Sequence, residues 1–191
     1  MKITECQTLF TSALSTTRIP APESTHYNRT AALVLEMARA YESDGIRFSE
    51  SGDPVNALAS YYYGFGWLHF GVSSGLLTVM HPTVCPLKDP LEILKPPFRA
   101  KLEEKTSRYA HLLNTARTSV ACAPDPATTS GVFASQLLCV AGVYARRGFY
   151  LMQSGKPEDA LASFSYGHGW LDAGVTAGFF RILAERDLFT V

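Results

Sequence analysis

Five histidines, two tryptophans and a run of tyrosines are the side chains here best suited to chemistry. Both tryptophans, two of the histidines and several of the tyrosines gather in two places. Tyr63, Trp67 and His69 lie close together in the first half, and Tyr166, His168, Trp170 and Asp172 in the second. Imidazole and carboxylate groups do general acid–base work when they sit beside a substrate, and aromatic faces receive flat or apolar ligands. These seven residues are therefore the candidate binding set. His69 follows Trp67 by two positions, whereas His168 precedes Trp170 by two, so the two histidines are not equivalent. Asp44 and His69 look like an acid–base pair, but a helix rises 1.5 Å per residue, and either side of the turn at Gly52 their heights differ by roughly 13 Å. Arg147 and Asp172 are separated in the same way. A composite site with His69 and Asp172 meeting is the arrangement that would support catalysis.

Other chemistries are poorly supported. Glu103 and Glu104 are adjacent and point in different directions on a helix, which does not build a magnesium site. The only Glu-x-x-His is Glu23 to His26, in a Pro-rich stretch, where a di-iron bundle needs two on helices. Cys6, Cys85, Cys122 and Cys139 are scattered with no C-x-x-C, so four reduced thiols are expected and no zinc. The G-x-S-x-G string Gly71-Val72-Ser73-Ser74-Gly75 falls inside an expected helix rather than on a strand-to-helix turn, so it is no nucleophile elbow, and there is no phosphate loop or dinucleotide fingerprint. No catalytic residue, metal ligand or cofactor is assigned. Arg99, Lys101, Lys105 and Arg108 form a short basic run interrupted by two glutamates, and 17 basic residues balance 17 acidic ones, so a nucleic-acid partner is not expected.

The elements that must position these residues follow from a duplication. Residues 52–75 align without a gap on residues 155–178, an offset of 103, with 14 of 24 positions identical. Leu35, Ala38, Tyr41 and Gly45 meet Leu138, Ala141, Tyr144 and Gly148 at the same offset. The first repeat is placed at 1–82, a Pro-rich connector at 83–97 and the second repeat at 98–191. Apolar residues recur at helical spacing, and Gly52-Asp53-Pro54 and Gly155-Lys156-Pro157 are stop-and-restart signals between helices. Helices are expected near 3–17, 28–51, 54–79, 97–119, 130–153 and 156–186, with no sheet. The fold class is all-α: two tandem three-helix units, each a helix plus a helical hairpin, packed as a pseudo-two-fold bundle. Gly64, Gly71 and Gly75, repeated as Gly167, Gly174 and Gly178, share a helix face. Each costs about 1 kcal/mol relative to Ala, so another backbone should approach closely there. Tyr41 is placed beside Gly64.

Hydrophobic residues make up 47% of the chain and charged ones only 18%. An average soluble protein is about 25% charged. That balance predicts extensive burial and is compatible with a homo-oligomer. Asp53 to Lys88 contains no charge between its ends, long enough to span a bilayer. The aligned segment carries Glu158, Asp159 and Asp172, however, so both are read as buried helices and no membrane partner is expected. The start, Met1-Lys2-Ile3-Thr4-Glu5, lacks a signal-peptide core, and a cytoplasmic location is expected.

The string Gly-Asp-Pro, Ala-Leu, Tyr-Gly and Gly-Trp-Leu-Asp-Ala-Gly resembles an archaeal family known as domain of unknown function 357. The second half resembles a complete member over Lys101–Val120, Leu137–Gly155 and Pro157–Phe180, and the first half a divergent one. The resemblance implies an acid before the Gly turn, matched by Asp44 but replaced by Arg147. It also implies Trp-Leu-Asp, matched by Trp170-Leu171-Asp172 but carrying His69 in copy one. It implies a small helical domain with no established activity. The expectation is a non-catalytic binding or scaffolding module whose partner is a protein or a small molecule. The alternative is a small-molecule binder or enzyme with an aromatic-lined site between the repeats.

Overall fold

The computed structural model describes residues 1–80, 87 and 89–190. His81 and Pro82, at the end of the first repeat, and Cys85 and Pro86, in the connector, lie outside them. The helices are α1 Ile3–Thr16, α2 His26–Glu50, α3 Pro54–Ser73, α4 Arg99–Thr118, α5 Thr129–Gln153 and α6 Pro157–Thr176. Short 3₁₀ turns occupy Pro96–Phe98 and Arg186–Leu188. Local chemistry sets the boundaries. Thr25 and Thr128 cap α2 and α5, accepting hydrogen bonds from the Asn28 and Gly131 amides at 3.1 and 3.0 Å. Gly52 and Gly155 leave α2 and α5 with φ of +75° and +70°. Pro54 and Pro157 then open the next helices.

Two expectations need correction. Helices α3 and α6 stop at Ser73 and Thr176, short of 79 and 186, because Gly75 and Gly178 adopt φ of +78° and +76°. At the end of α6 the Gly178 amide donates to the Val175 carbonyl and the Phe179 amide to Gly174, closing the helix. These two glycines are therefore helix stops with open space beside them, not packing positions. The chain also contains sheet. Strands β1 Thr17–Arg18 and β2 Thr78–Val79 pair antiparallel, as do β3 Val120–Cys122 and β4 Phe180–Ile182. Each ladder ties the end of a unit's first helix to the chain leaving its hairpin. Strands of two or three residues are too short to show a period of two. The registers Thr17↔Val79 and Val120↔Ile182 lie 103 residues apart at both members, so the duplication covers the ladders too.

The other four glycines are closely packed, though by side chains rather than by another backbone. A β-carbon on Gly64 would press on the Phe10 ring at 2.6 Å and on the Tyr41 β-carbon at 3.0 Å; at Gly167 it would meet Leu113 at 2.8 Å and Tyr144 at 3.3 Å. Gly71 faces Leu77 at 2.5 Å, and Gly174 faces the Phe180 ring.

Helices α3 and α6 form the centre, each also packed against its own hairpin partner, α2 or α5. They cross at Gly66 and Gly169. A β-carbon at Gly66 would collide with the Tyr166 carbonyl and sit 2.8 Å from the Trp170 amide, while one at Gly169 would collide with the Tyr63 carbonyl. The relation is reciprocal: residue 66 meets 166, and 169 meets 63. A translational repeat does not generate such exchanged pairs; an approximate two-fold axis does. Among the described residues no helix is long and apolar enough to cross a membrane.

The connector is pinned to the second unit. Leu87 and Leu91 are buried. The Arg147 guanidinium donates to the Leu87 carbonyl at 2.6 Å, the Leu91 amide to Asp159 at 3.1 Å and the Leu94 amide to Glu158 at 2.9 Å. The Met1 ammonium donates to the Pro90 carbonyl at 2.5 Å. The buried acids that open α6 thus satisfy connector amides that would otherwise lack partners.

Candidate functional site: the crossing of the two repeats

The close approach of α3 and α6 brings the seven predicted residues into one region. Six of them are at most 6% exposed and His69 is half-buried. The Tyr63 hydroxyl donates to the Asp172 carboxylate. Tyr166 and His69 Nδ1 are hydrogen-bonded at 3.0 Å. Positions 63 and 166 correspond at the offset of 103, and so do 69 and 172. One polar contact is therefore made twice across the axis, with a carboxylate on one side and an imidazole on the other. His69 and Asp172 do not form the composite pair; each engages a tyrosine of the opposite repeat.

Their surroundings are dry. Burial lowers the His69 pKa to about 4 and depresses that of His168 against the pull of nearby Asp172. Burial raises Asp172 above the usual carboxylate range and Tyr63 well above that of a free phenol, the latter reinforced by the Asp172 charge. These are the directions expected where charged forms lose solvation. Among the described residues His69 Nε2 and Trp67 Nε1 are buried without a partner, while Trp170 Nε1 donates to the Leu137 carbonyl at 2.8 Å. Phe70 packs edge-on against Trp170 at 5.4 Å between centroids.

The C-terminal segment seals the second-repeat side. Thr190 donates to Asp172 through its hydroxyl at 2.9 Å and its amide at 3.3 Å. His168 Nε2 donates to the Leu188 carbonyl at 2.9 Å, and Phe189 is buried beside it. Local pattern at Leu188 or Thr190 carried no signal for this role. Gly66 and Gly169, which set the crossing, did carry one: both belong to the Gly-x-Gly-Trp string shared by the two copies. The remaining charges of interest lie elsewhere. Asp44 pairs with Arg47 at the surface, and Arg147 holds the connector.

Neither of two surface cavities touches the seven residues. One, of about 560 Å³, lies by Met1, Glu5 and Asp89. The other, of about 840 Å³, straddles the pseudo-two-fold axis where α2 and α5 begin and α3 and α6 end, with Thr30, Gly75, Leu76, Phe133, Gly178 and Phe179 among its walls.

Fold and site together define an all-α protein of two fused helical copies, joined by reciprocal tyrosine contacts across an approximate two-fold axis. Residues 7–77 and 108–180 each match the model of the family described as protein of unknown function (DUF357), and the chain belongs to that family in two tandem copies. No curated protein and no solved structure matches the chain.

Proposed function

We propose that this protein is a non-catalytic binding module, a rigid duplicated platform that presents surfaces rather than transforming a substrate. The observation that carries this reading is the Tyr63–Asp172 and Tyr166–His69 pairing. Asp172 and Nδ1 of His69 each engage a tyrosine of the opposite repeat, in a region packed with aromatic side chains. The use of the same contact twice, with different chemistry at positions 69 and 172, also supports it: an active site needs particular groups, whereas this junction accepts either acceptor for a phenol. Arg99, Lys101 and Arg108 are each ion-paired with an acid, at 2.6, 2.6 and 3.4 Å. That leaves the basic run little net attraction for polyanions.

The test is a hydrolase and transferase activity panel run on the wild type and on the Asp172→Asn variant. The expected result is no turnover in either protein. Turnover by the wild type that Asp172→Asn abolishes, with the variant still folded, would overturn the reading.

A further inference from the structure

We propose that the cavity on the pseudo-two-fold axis is a binding site for a small neutral aromatic molecule with one hydrogen-bonding edge. The proposal deepens the binding-module reading and rests on it. The cavity holds about 840 Å³. That volume falls within the size range of small-molecule sites, and the cavity lies between two repeats, where such sites concentrate.

Its walls differ although they descend from the same sequence. Thr30 on one side corresponds to Phe133 on the other, Tyr27 to Ser130, and Leu76 to Phe179. The second-repeat wall is therefore aromatic. Phe133 and Phe179 meet edge-on at 5.8 Å, and Phe179 is backed by the fully buried Phe70 at 5.8 Å. The first-repeat wall is mixed: Pro20, Pro22 and Leu76 are apolar, but the Thr30 hydroxyl lies 3.5 Å from His26 Nε2 and forms a polar edge, and the Tyr27 ring stands 70% exposed at the rim. One ring face against Phe133 and Phe179, with a hydrogen-bonding edge toward Thr30 and His26, uses both walls.

Electrostatics selects a neutral ligand. Among the described residues no Asp, Glu, Lys or Arg lines the cavity. The N-termini of α2 and α5 and the C-termini of α3 and α6 converge there, so partial charges of opposite sign offset one another. Among the described lining residues a cation would find no carboxylate, and an anion no ammonium or guanidinium, to replace its hydration.

The experiment titrates the ¹⁵N-labelled full chain with indole, the neutral probe, and with indole-3-acetate and tryptamine as charged analogues. Indole is expected to shift the amides of Gly75, Gly178 and Thr30 saturably, with each charged analogue at least tenfold weaker. Phe133→Thr, which installs the first-repeat residue, should weaken indole at least tenfold. Tyr27→Ser, at an exposed rim position that does not threaten folding, should weaken it severalfold and keeps the test decisive if Phe133→Thr unfolds. Absence of saturable shifts at those amides, unchanged affinity in the folded variants, or indole-3-acetate binding as tightly as indole would overturn the proposal. Each of those results leaves the non-catalytic reading standing, since only turnover in the activity panel bears on that.

Discussion

A phenol can donate to a carboxylate or share its proton with an imidazole, which is why Tyr63 and Tyr166 are the same residue while their partners differ. Removing the donor leaves a buried acceptor short of a bond, a loss of about 1–3 kcal/mol. Tyr63→Phe should therefore lower stability by about that amount in urea unfolding, and a midpoint equal to wild type would show that Thr190 alone satisfies Asp172. His69 adds a pH dependence. Its folded pKa, about 4, lies below the ordinary 6.5, so the unfolded chain binds the proton first. Stability from this group is complete above pH 6.5 and is lost as pH falls toward 4. At pH 5 the loss is about 2 kcal/mol, from about 1.36 kcal/mol per pH unit. Asp172 acts in the opposite sense, because its raised pKa favours the folded state on the acid side. Comparing wild type with His69→Gln separates the two: the variant should lose less stability between pH 7 and pH 5, and equal losses would mean that His69 protonates freely in the folded protein.

Helices meet most closely where side chains vanish, and the α3–α6 crossing is the extreme case. Gly66→Ala or Gly169→Ala drives a methyl group into backbone, which cannot rotate away as a side chain can. Each should cost roughly 3 kcal/mol or more, at the upper end of overpacking effects. Gly71→Leu and Gly174→Leu should cost roughly 1–3 kcal/mol by crowding Leu77 and Phe180. Gly75→Ala meets no atom and pays only for its left-handed backbone, about 1 kcal/mol. Calorimetric melting of the set should reproduce that order, and a Gly66→Ala protein as stable as wild type would remove the crossing from its central place. Helices α2 and α5 begin at His26 and Thr129, near the expected 28 and 130, under caps at Thr25 and Thr128 that sequence reasoning missed. The starts of α3 and α6 were legible because Pro54 and Pro157 act through neighbours only a few residues away. The ends of α3 and α6 were not, since Gly75 continues the spacing of Gly64 and Gly71 and differs from them only in φ. The seven site residues were legible as a group because aromatic and polar side chains crowd one helix in each repeat. Their role was not, because it depends on which glycine lies at the crossing, a fact of two helices rather than one.

At the scale of the molecule, each repeat is half of a pseudo-dimer. A fragment of residues 98–190 would expose the face of α6 that α3 covers, with Tyr166, Gly169 and Asp172 on it. Two such fragments can recreate the same contact, Tyr166 of each donating to Asp172 of the other. Size-exclusion chromatography with light scattering should therefore find this fragment as a dimer. A folded monomer would show that the second repeat needs no partner surface. The central helix carries one more consequence. Every residue of α6 from Pro157 to Gly174 is buried, ringed by α3, α4, α5 and the connector. A helix covered on all sides has no edge from which to fray, so its amide hydrogens exchange with solvent only when the whole protein opens. In deuterated buffer, α6 should be the last segment to take up label, at a rate set by global stability, while the outer faces of α2 and α5 exchange long before it.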